Sequence, residues 1–281
     1  MKVLIATDGS KYGQWAIEWM VHLPFKTRPE VRVLHVIDVV SLRAPFMIQP
    51  VIPGTQQYLS AELRRMEKAA KTIKEKSVRL LETIGLDGTA MIVRGRVMET
   101  IVEHARRRVS LLSVGSRGLT PLDRFMLGSV SNFAVHHAPC SILVAKQAPR
   151  PVKRIVLAVD GSSASQRAVQ LLCRMFRPSH GFGRTPIAIA IIHVLPARDY
   201  PKAGRMVVKR CADLLSKCGF ISEATIQVGK PAEEILKIAD NSKADLIVTG
   251  AKGMGAVRRM LLGSVSTRVV QHAACSVLVA R

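Results

Sequence analysis

The chain is short of aromatic residues and of acids, and it lacks any long apolar run. Aromatic side chains make up 4% of its 281 residues. They do not interleave with the basic runs, so the stacking platforms that hold single-stranded nucleic acid are missing. No stretch approaches the ~18 unbroken apolar residues of a membrane-spanning helix. The opening residues from Met1 to Asp8 go straight into a strand-like run and a turn, without the apolar stretch and cleavage site of a signal peptide. Cys140, Cys173, Cys211, Cys218 and Cys275 form no CxxC pair and no zinc-type spacing with histidine. They are expected to be reduced thiols in a soluble, cytoplasmic protein. No Lys-Ser or Lys-Thr follows a G-x4-G, which excludes a Walker A loop.

The scarcity of acids leaves 42 Lys and Arg against 20 Asp and Glu, a formal net charge of +22, with 21 of the basic residues in 1–149 and 21 in 150–281. Such an excess attracts anions in general and identifies no partner. The basic runs, Arg106-Arg107-Arg108 and Arg64-Arg65 onward to Lys76, have helical periodicity and read mainly as solvated helix faces. Binding to nucleic acid or acidic membrane is the weaker reading.

What the sequence does have is itself, twice. Val3-Leu4-Ile5-Ala6-Thr7-Asp8-Gly9-Ser10 returns as Ile155-Val156-Leu157-Ala158-Val159-Asp160-Gly161-Ser162, and Gly115 to Ala145 returns in register as Gly250 to Ala280. Gln147-Ala148-Pro149-Arg150-Pro151 reads as the linker, because its prolines disfavour helix and paired strand alike. Two domains are expected, 1–147 and 148–281. Strand candidates lie at Lys2–Thr7, Val31–Ile37, Thr89–Val93, Ser110–Gly115 and Cys140–Ala145, with amphipathic helices between them. Val97, Ile101, Val102 and Ala105 mark one helical stripe. The second half repeats the order at Lys153–Val159, Ile187–Val194, Ala224–Val228, Asp245–Gly250 and Cys275–Ala280. The expectation is an α/β fold of two tandem Rossmann-like, doubly wound domains, each a five-stranded parallel sheet with helices on both faces. The first half carries a long segment between Asp38 and Leu59, read as a packing loop or subunit contact ahead of a lid, and the second has extra residues around 178–185.

One pattern, G-x2-G-x9-G-S, occurs at the same place in each repeat, as Gly115, Gly118, Gly128-Ser129 and as Gly250, Gly253, Gly263-Ser264. The first glycine ends an apolar strand and the last opens a helix. Phosphate oxygens need several backbone N–H donors at close range. Glycine lets the chain approach without a Cβ, and the positive end of the following helix favours anionic charge. Ser129 and Ser264 offer hydroxyls, as do Ser131 and Ser266 beyond Val130 and Val265. Arg117, Lys252, Arg124 and Arg259 either add charge or face water.

Asp-Gly-Ser after strand one, the doubled glycine loop and the ending His-Ala-x-Cys-Ser-x-Leu-Val-Ala together resemble the ATP-binding branch of the universal stress protein family. The likeness spans both halves. It implies that Asp8 and Asp160 contact the nucleoside and that the main chain at Val36 and Val194 reaches adenine. It implies too that the glycines and the serines after them hold ribose and phosphates. The expected ligand is ATP, with ADP or AMP as alternatives and Mg²⁺ as a companion of the phosphates. The family joins its domains through the last strands, which implies an internal pseudo-dimer of Cys140–Ala145 with Cys275–Ala280 and leaves room for a further homodimer. The implied role is a non-catalytic regulator of stress response. Weak ATP hydrolysis is the runner-up, since Asp123 is the one carboxylate inside either loop and Arg258 takes its place in the second. The family's usual acid at the start of strand four is kept as Asp245, but the first half has Ser110, which puts packing there in question.

Other recurring residues read as structural. His35 and His193 are expected to be packed strand histidines, His137 and His272 to sit at helix ends, and Cys140 and Cys275 to be buried hydrophobes. Trp15 and Trp19, four apart on the first helix, are expected to be core or interface anchors. Asp-Gly-Ser is also good turn and helix-start chemistry on its own account.

Overall fold

The computed structural model describes residues 1–44, 54–119, 127–180, 185–195, 201–253 and 262–281. The first half runs β1 (Lys2–Ala6), α1 (Lys11–His22), β2 (Glu30–Asp38), α2 (Val39–Arg43), α3 (Thr55–Thr83), β3 (Gly88–Gly95), α4 (Val97–Ala105), β4 (Leu111–Gly115), α5 (Ser129–His137) and β5 (Ser141–Ala145). The second runs β6 (Arg154–Ala158), α6 (Ser163–Met175), β7 (Ser179–His180), β8 (Thr185–Pro186), β9 (Ala188–Leu195), α7 (Pro201–Lys217), β10 (Ile221–Val228), α8 (Pro231–Asn241), β11 (Leu246–Gly250), α9 (Ser264–His272) and β12 (Ser276–Ala280).

The strands form one ten-stranded sheet in the order β10-β9-β6-β11-β12-β5-β4-β1-β2-β3. Within each half every neighbour is parallel. The halves meet where β12 lies antiparallel to β5, with Leu278 opposite Leu143. A parallel sheet needs cover on both faces, so its strands are apolar throughout rather than alternating. β4, β5, β11 and β12 are buried at every position. One apolar layer gathers Ala16, Ile17, Trp19 and Met20 of α1 with Ala168, Val169 and Leu172 of α6. The other gathers Ile101 of α4, Ala134 of α5, Ile235 of α8 and Val269 of α9. This is the doubly wound arrangement expected, built twice.

Contacts of several kinds fix the halves to each other. Phe25 and Phe176 meet edge-on with ring centroids 5.6 Å apart. Trp19 is fully buried, and its indole N–H donates to the carbonyl of Gln147 in the linker at 3.2 Å. The last strands also exchange cations. Lys146, just beyond β5, donates from Nζ to the carbonyls of Val270 and Gln271 at 2.9 and 3.0 Å, closing the carboxyl end of α9 in the other half. Arg281, just beyond β12, does the same for α5 through Val135 and His136, at 2.6 and 3.1 Å. A cation suits a helix carboxyl end, where carbonyls are unpaired and the dipole is negative. Burial pushes the Lys146 ammonium down to about 8.

The linker is pinned as well. Asp245, 5% exposed, accepts from Arg150 Nε at 2.6 Å and from the main-chain N–H groups of Lys153 and Arg154 at 2.8 and 2.9 Å. Of the basic runs, Arg64, Arg65, Lys68, Lys71, Lys74 and Lys76 are exposed on α3, and Arg106 to Arg108 are exposed beyond α4.

Three expectations need correction. The segment after Asp38 is not all loop: Asp38 caps α2 by accepting the Ser41 N–H at 2.9 Å, and α3 begins at Thr55; residues 45–53 lie outside the described residues. The extra residues of the second half include a two-residue pairing, β7 with β8. The five cysteines are not all thiols. Cys173 on α6 and Cys218 just past α7 are joined by a disulfide, with Cα atoms 5.6 Å apart. Spacing along the chain could not reveal a bridge between residues 45 apart whose approach depends on how α7 returns over α6.

Candidate functional site

Each half has a cleft at the carboxyl edge of its strands, between β1 and β4 in the first and between β6 and β11 in the second. Strand order reverses direction there, and ligands of doubly wound sheets sit at such a switch point. The first cleft encloses about 590 Å³ and the second about 430 Å³. Both fall in the ~300–1,000 Å³ range of small-molecule sites.

The clefts gather residues far apart in sequence. Asp8, Val36, Gly115, Arg117, Gly118, Gly128, Ser129, Val130 and Ser131 all line the first. Asp160, Val194, Gly250, Lys252, Gly253, Gly263, Ser264, Val265 and Ser266 all line the second. Arg124, Asp123, Arg258 and Arg259 lie outside the described residues. The apolar walls contain residues not picked from the sequence as part of a site: Val97 and Ile101 in the first, Pro231 and Ile235 in the second. Val97 and Ile101 belong to the stripe that marked α4 as amphipathic, and the stripe serves core and cleft together. Thr249 on the second floor stands where the first has Val114.

Local chemistry explains the entry turn of each cleft. Gly9 and Gly161 take φ of +80° and +85°, which side-chain-bearing residues rarely adopt. Ser10 and Ser162 cap the following helices, accepting the N–H of Gly13 and of Ser165, both at 3.2 Å. Asp8 Oδ1 accepts the Ser10 N–H at 3.0 Å while its Oδ2 accepts the Leu119 N–H at 3.1 Å, so this carboxylate ties the strand-one turn to the glycine loop. Asp160 accepts the Ser162 N–H at 3.0 Å.

The glycines of the loop divide into two kinds. A Cβ on Gly115 or Gly250 would stand 2.6 or 2.5 Å from main-chain atoms of Tyr12 or Ala164. On Gly118 or Gly253 it would strike the carboxylate of Asp8 or Asp160, at 2.7 or 2.6 Å. Main-chain packing requires the first pair, and at the second pair the aspartate carboxylate would have to move aside. Gly128 and Gly263 are different. Their nearest contacts would be 3.4 Å, ordinary van der Waals distance, and their φ values of −63° and −75° suit any residue. They cap α5 and α9 without a side-chain hydrogen bond, leaving the helix amino ends open to the cleft.

Three side chains behave differently from the sequence reading. Ser131 and Ser266 are buried, and their hydroxyls donate to the carbonyls of Gly115 and Gly250, the latter at 2.7 Å. They lock strand end to helix start rather than offering a free donor. Arg117 neither reaches freely into the cleft nor faces open water. Its Nη1 donates to the Tyr12 hydroxyl at 3.0 Å, and the guanidinium lies 5.3 Å from that ring's centroid. His35 and His193 are packed strand residues, each with Nδ1 against a main-chain oxygen, Thr7 at 2.9 Å and Val159 at 2.8 Å. Burial pushes the Cys140 thiol up to about 11 and the Cys275 thiol to about 12, so neither is a ready nucleophile. Among the described residues, no group of three or more His, Cys, Asp and Glu could hold a metal ion. No helix among them is long and apolar enough to cross a membrane.

Comparison with known proteins agrees with this geometry. A family model described as the universal stress protein family matches the chain twice, over residues 1–146 and again over 151–281. A universal stress protein of Mycolicibacterium smegmatis is 27% identical, over 99% of this chain and 96% of its own length. One from Thermus aquaticus is 36% identical over 141 residues, 46% of this chain and 98% of that protein. The crystal structure of a universal stress protein from Archaeoglobus fulgidus superposes with a TM-score of 0.75 at 22% identity, covering 100% of this chain and 96% of that one. With both halves of a doubled fold matched independently, the chain belongs to the universal stress protein family.

Proposed function

We propose that each half binds one adenine nucleotide, ATP by preference, and that the protein is a non-catalytic regulator of a stress response whose conformation or assembly follows occupancy. The observation that carries this reading is the pair Gly128 and Gly263. The protein's packing leaves room for a Cβ at both positions, and their backbone angles do not require glycine. A ligand approaching the main chain closely does require it. The two glycines stand at helix amino ends, where free N–H groups and the dipole favour phosphate oxygens. Ser129 and Ser264 stand next to them with hydroxyls available to the same phosphates. Asp8 and Asp160 supply acceptors for ribose hydroxyls, and the main chain at Val36 and Val194 meets the base. The apolar walls at Val97, Ile101, Pro231 and Ile235 suit a flat heterocycle. Mg²⁺, where it accompanies the ligand, is held mainly by the phosphates.

The test is thermal melting of the purified chain with ATP, ADP, AMP and cyclic AMP, with and without Mg²⁺. A ligand that binds only the folded state stabilises it by about 2.7 kcal/mol at one hundred times its dissociation constant. ATP should raise the melting temperature most. No rise with any of the four would overturn the proposal. Steady multiple turnovers of ATP, lost in the Gly128→Ala/Gly263→Ala variant, would make hydrolysis the function instead.

A further inference from the structure

We propose that a third hollow, at the seam of the two halves and on the amino edge of the first sheet, is a binding site for a small metabolite bearing an oxyanion, a carboxylate or a phosphate. It is separate from the nucleotide clefts, which open at the carboxyl edge of the same strands.

The case rests on one difference between the repeats. The correspondence that pairs Gly115 with Gly250 also pairs Ser110 with Asp245. In the second half the Asp245 carboxylate fills the amino edge of its sheet, taking hydrogen bonds from Arg150 and from the main chain at Lys153 and Arg154. In the first half the shorter serine brings no carboxylate, and a hollow of about 440 Å³ lies there. A side-chain carboxylate occupies only a small part of such a volume, so a ligand has room for a body behind its charged group.

The walls suit an anion. Arg174 at the end of α6 and Arg281 after β12 bring two guanidinium groups from the other half, and Thr27, Ser110 and Ser141 bring hydroxyls. Among the described residues, no Asp or Glu side chain lines the hollow. Cys140 lines it too, and because burial pushes its thiol up to about 11, it adds no negative charge at neutral pH. Arg281 is held in place: Nη2 bonds the end of α5, and its main-chain N–H donates to Ser141 Oγ at 3.2 Å. Its Nε is buried and has no hydrogen-bond partner among the described residues. A buried guanidinium N–H without an acceptor is costly, and charge-assisted bonds to carboxylate or phosphate are the strong ones. In the second half a side-chain carboxylate stands at this edge and is bonded by Arg150 and the main chain; in the first half no side-chain carboxylate stands there, and the Arg281 Nε is left for a ligand.

The experiment is thermal melting of the full chain in inorganic phosphate or in succinate, with ionic strength held constant by sodium chloride. At one hundred times the dissociation constant the bound anion should raise the melting temperature by roughly 5 °C. A larger rise with phosphate assigns a phosphorylated ligand, and a larger rise with succinate a carboxylic one. Ser110→Asp supplies the carboxylate covalently. It should melt higher than the parent in anion-free buffer and lose most of the anion-dependent rise. Arg174→Gln, an exposed and structurally mild change, should lose the rise without the gain. ATP affinity should be unchanged in both variants, which keeps the result independent of the nucleotide reading. The proposal is overturned if neither anion acts beyond sodium chloride, or if the rise survives intact in both variants.

Discussion

Adding one methyl group at Gly128 and at Gly263 separates a glycine kept for folding from one kept for a ligand. In the folded chain a Cβ at either site meets nothing closer than 3.4 Å. As a helix cap, alanine is worse than glycine by about 0.5–1 kcal/mol. The lower entropy of the unfolded chain returns about 0.4–1 kcal/mol. These nearly cancel, so Gly128→Ala and Gly263→Ala should melt within a few degrees of the parent. The cost to a phosphate is different in kind. A methyl at the helix start forces phosphate oxygens away from the main-chain N–H groups there. Losing two charge-assisted hydrogen bonds at about 1.5–3 kcal/mol each amounts to ~3–6 kcal/mol, or roughly two to four decades of affinity. Calorimetric titration with ATP should show two sites in the parent, one in each single variant and none in the double variant. Retained fold with ATP affinity within threefold of the parent would refute the reasoning, for the missing Cβ would then serve neither packing nor ligand.

Three further outcomes follow from contacts outside the clefts. Asp245→Ala removes the acceptor for two main-chain N–H groups and for Arg150, and should lower stability in urea by about 2–4 kcal/mol. Lys146 is depressed from the usual 10.5 to about 8, so between those values the unfolded chain binds more protons than the folded one. Stability should therefore rise with pH across that window, and urea melts of Lys146→Met should lack that part of the slope. The Cys173–Cys218 bridge closes a span of 45 residues, which on loop entropy stabilises by about 4 kcal/mol. Cys173→Ser should lower the melting temperature, and thiol reductant should lower it in the parent but not in the variant.

The sequence was most legible where it repeated. A strand such as β4, buried at all five positions, announces itself as an unbroken apolar run, and its recurrence as β11 excludes coincidence. The glycine spacing was equally plain, because loop geometry is written locally. What stayed hidden depends on approach between distant segments. That Gly118 presses on Asp8 while Gly128 presses on nothing cannot be seen in a pattern that writes both simply as glycine. In sequence the hydroxyls of Ser131 and Ser266 read as ligand donors, whereas in the fold they meet the strand-end carbonyls. The exchanged cations are hidden in the sequence for the same reason. Lys146 and Arg281 lie in ordinary positions after a strand, and their partners sit 124 and 146 residues away.

The opposed course of β5 and β12 has a consequence for anything that reads this protein. Because the two halves point in contrary directions, their mouths face away from one another, at the two rims of a single long sheet. With both clefts filled as proposed, a rigid, flat partner pressed to one rim would sense one occupant and be blind to the second. Only an assembly that embraces both rims, or a signal carried through the central seam, can count whether the molecule holds none, one or two.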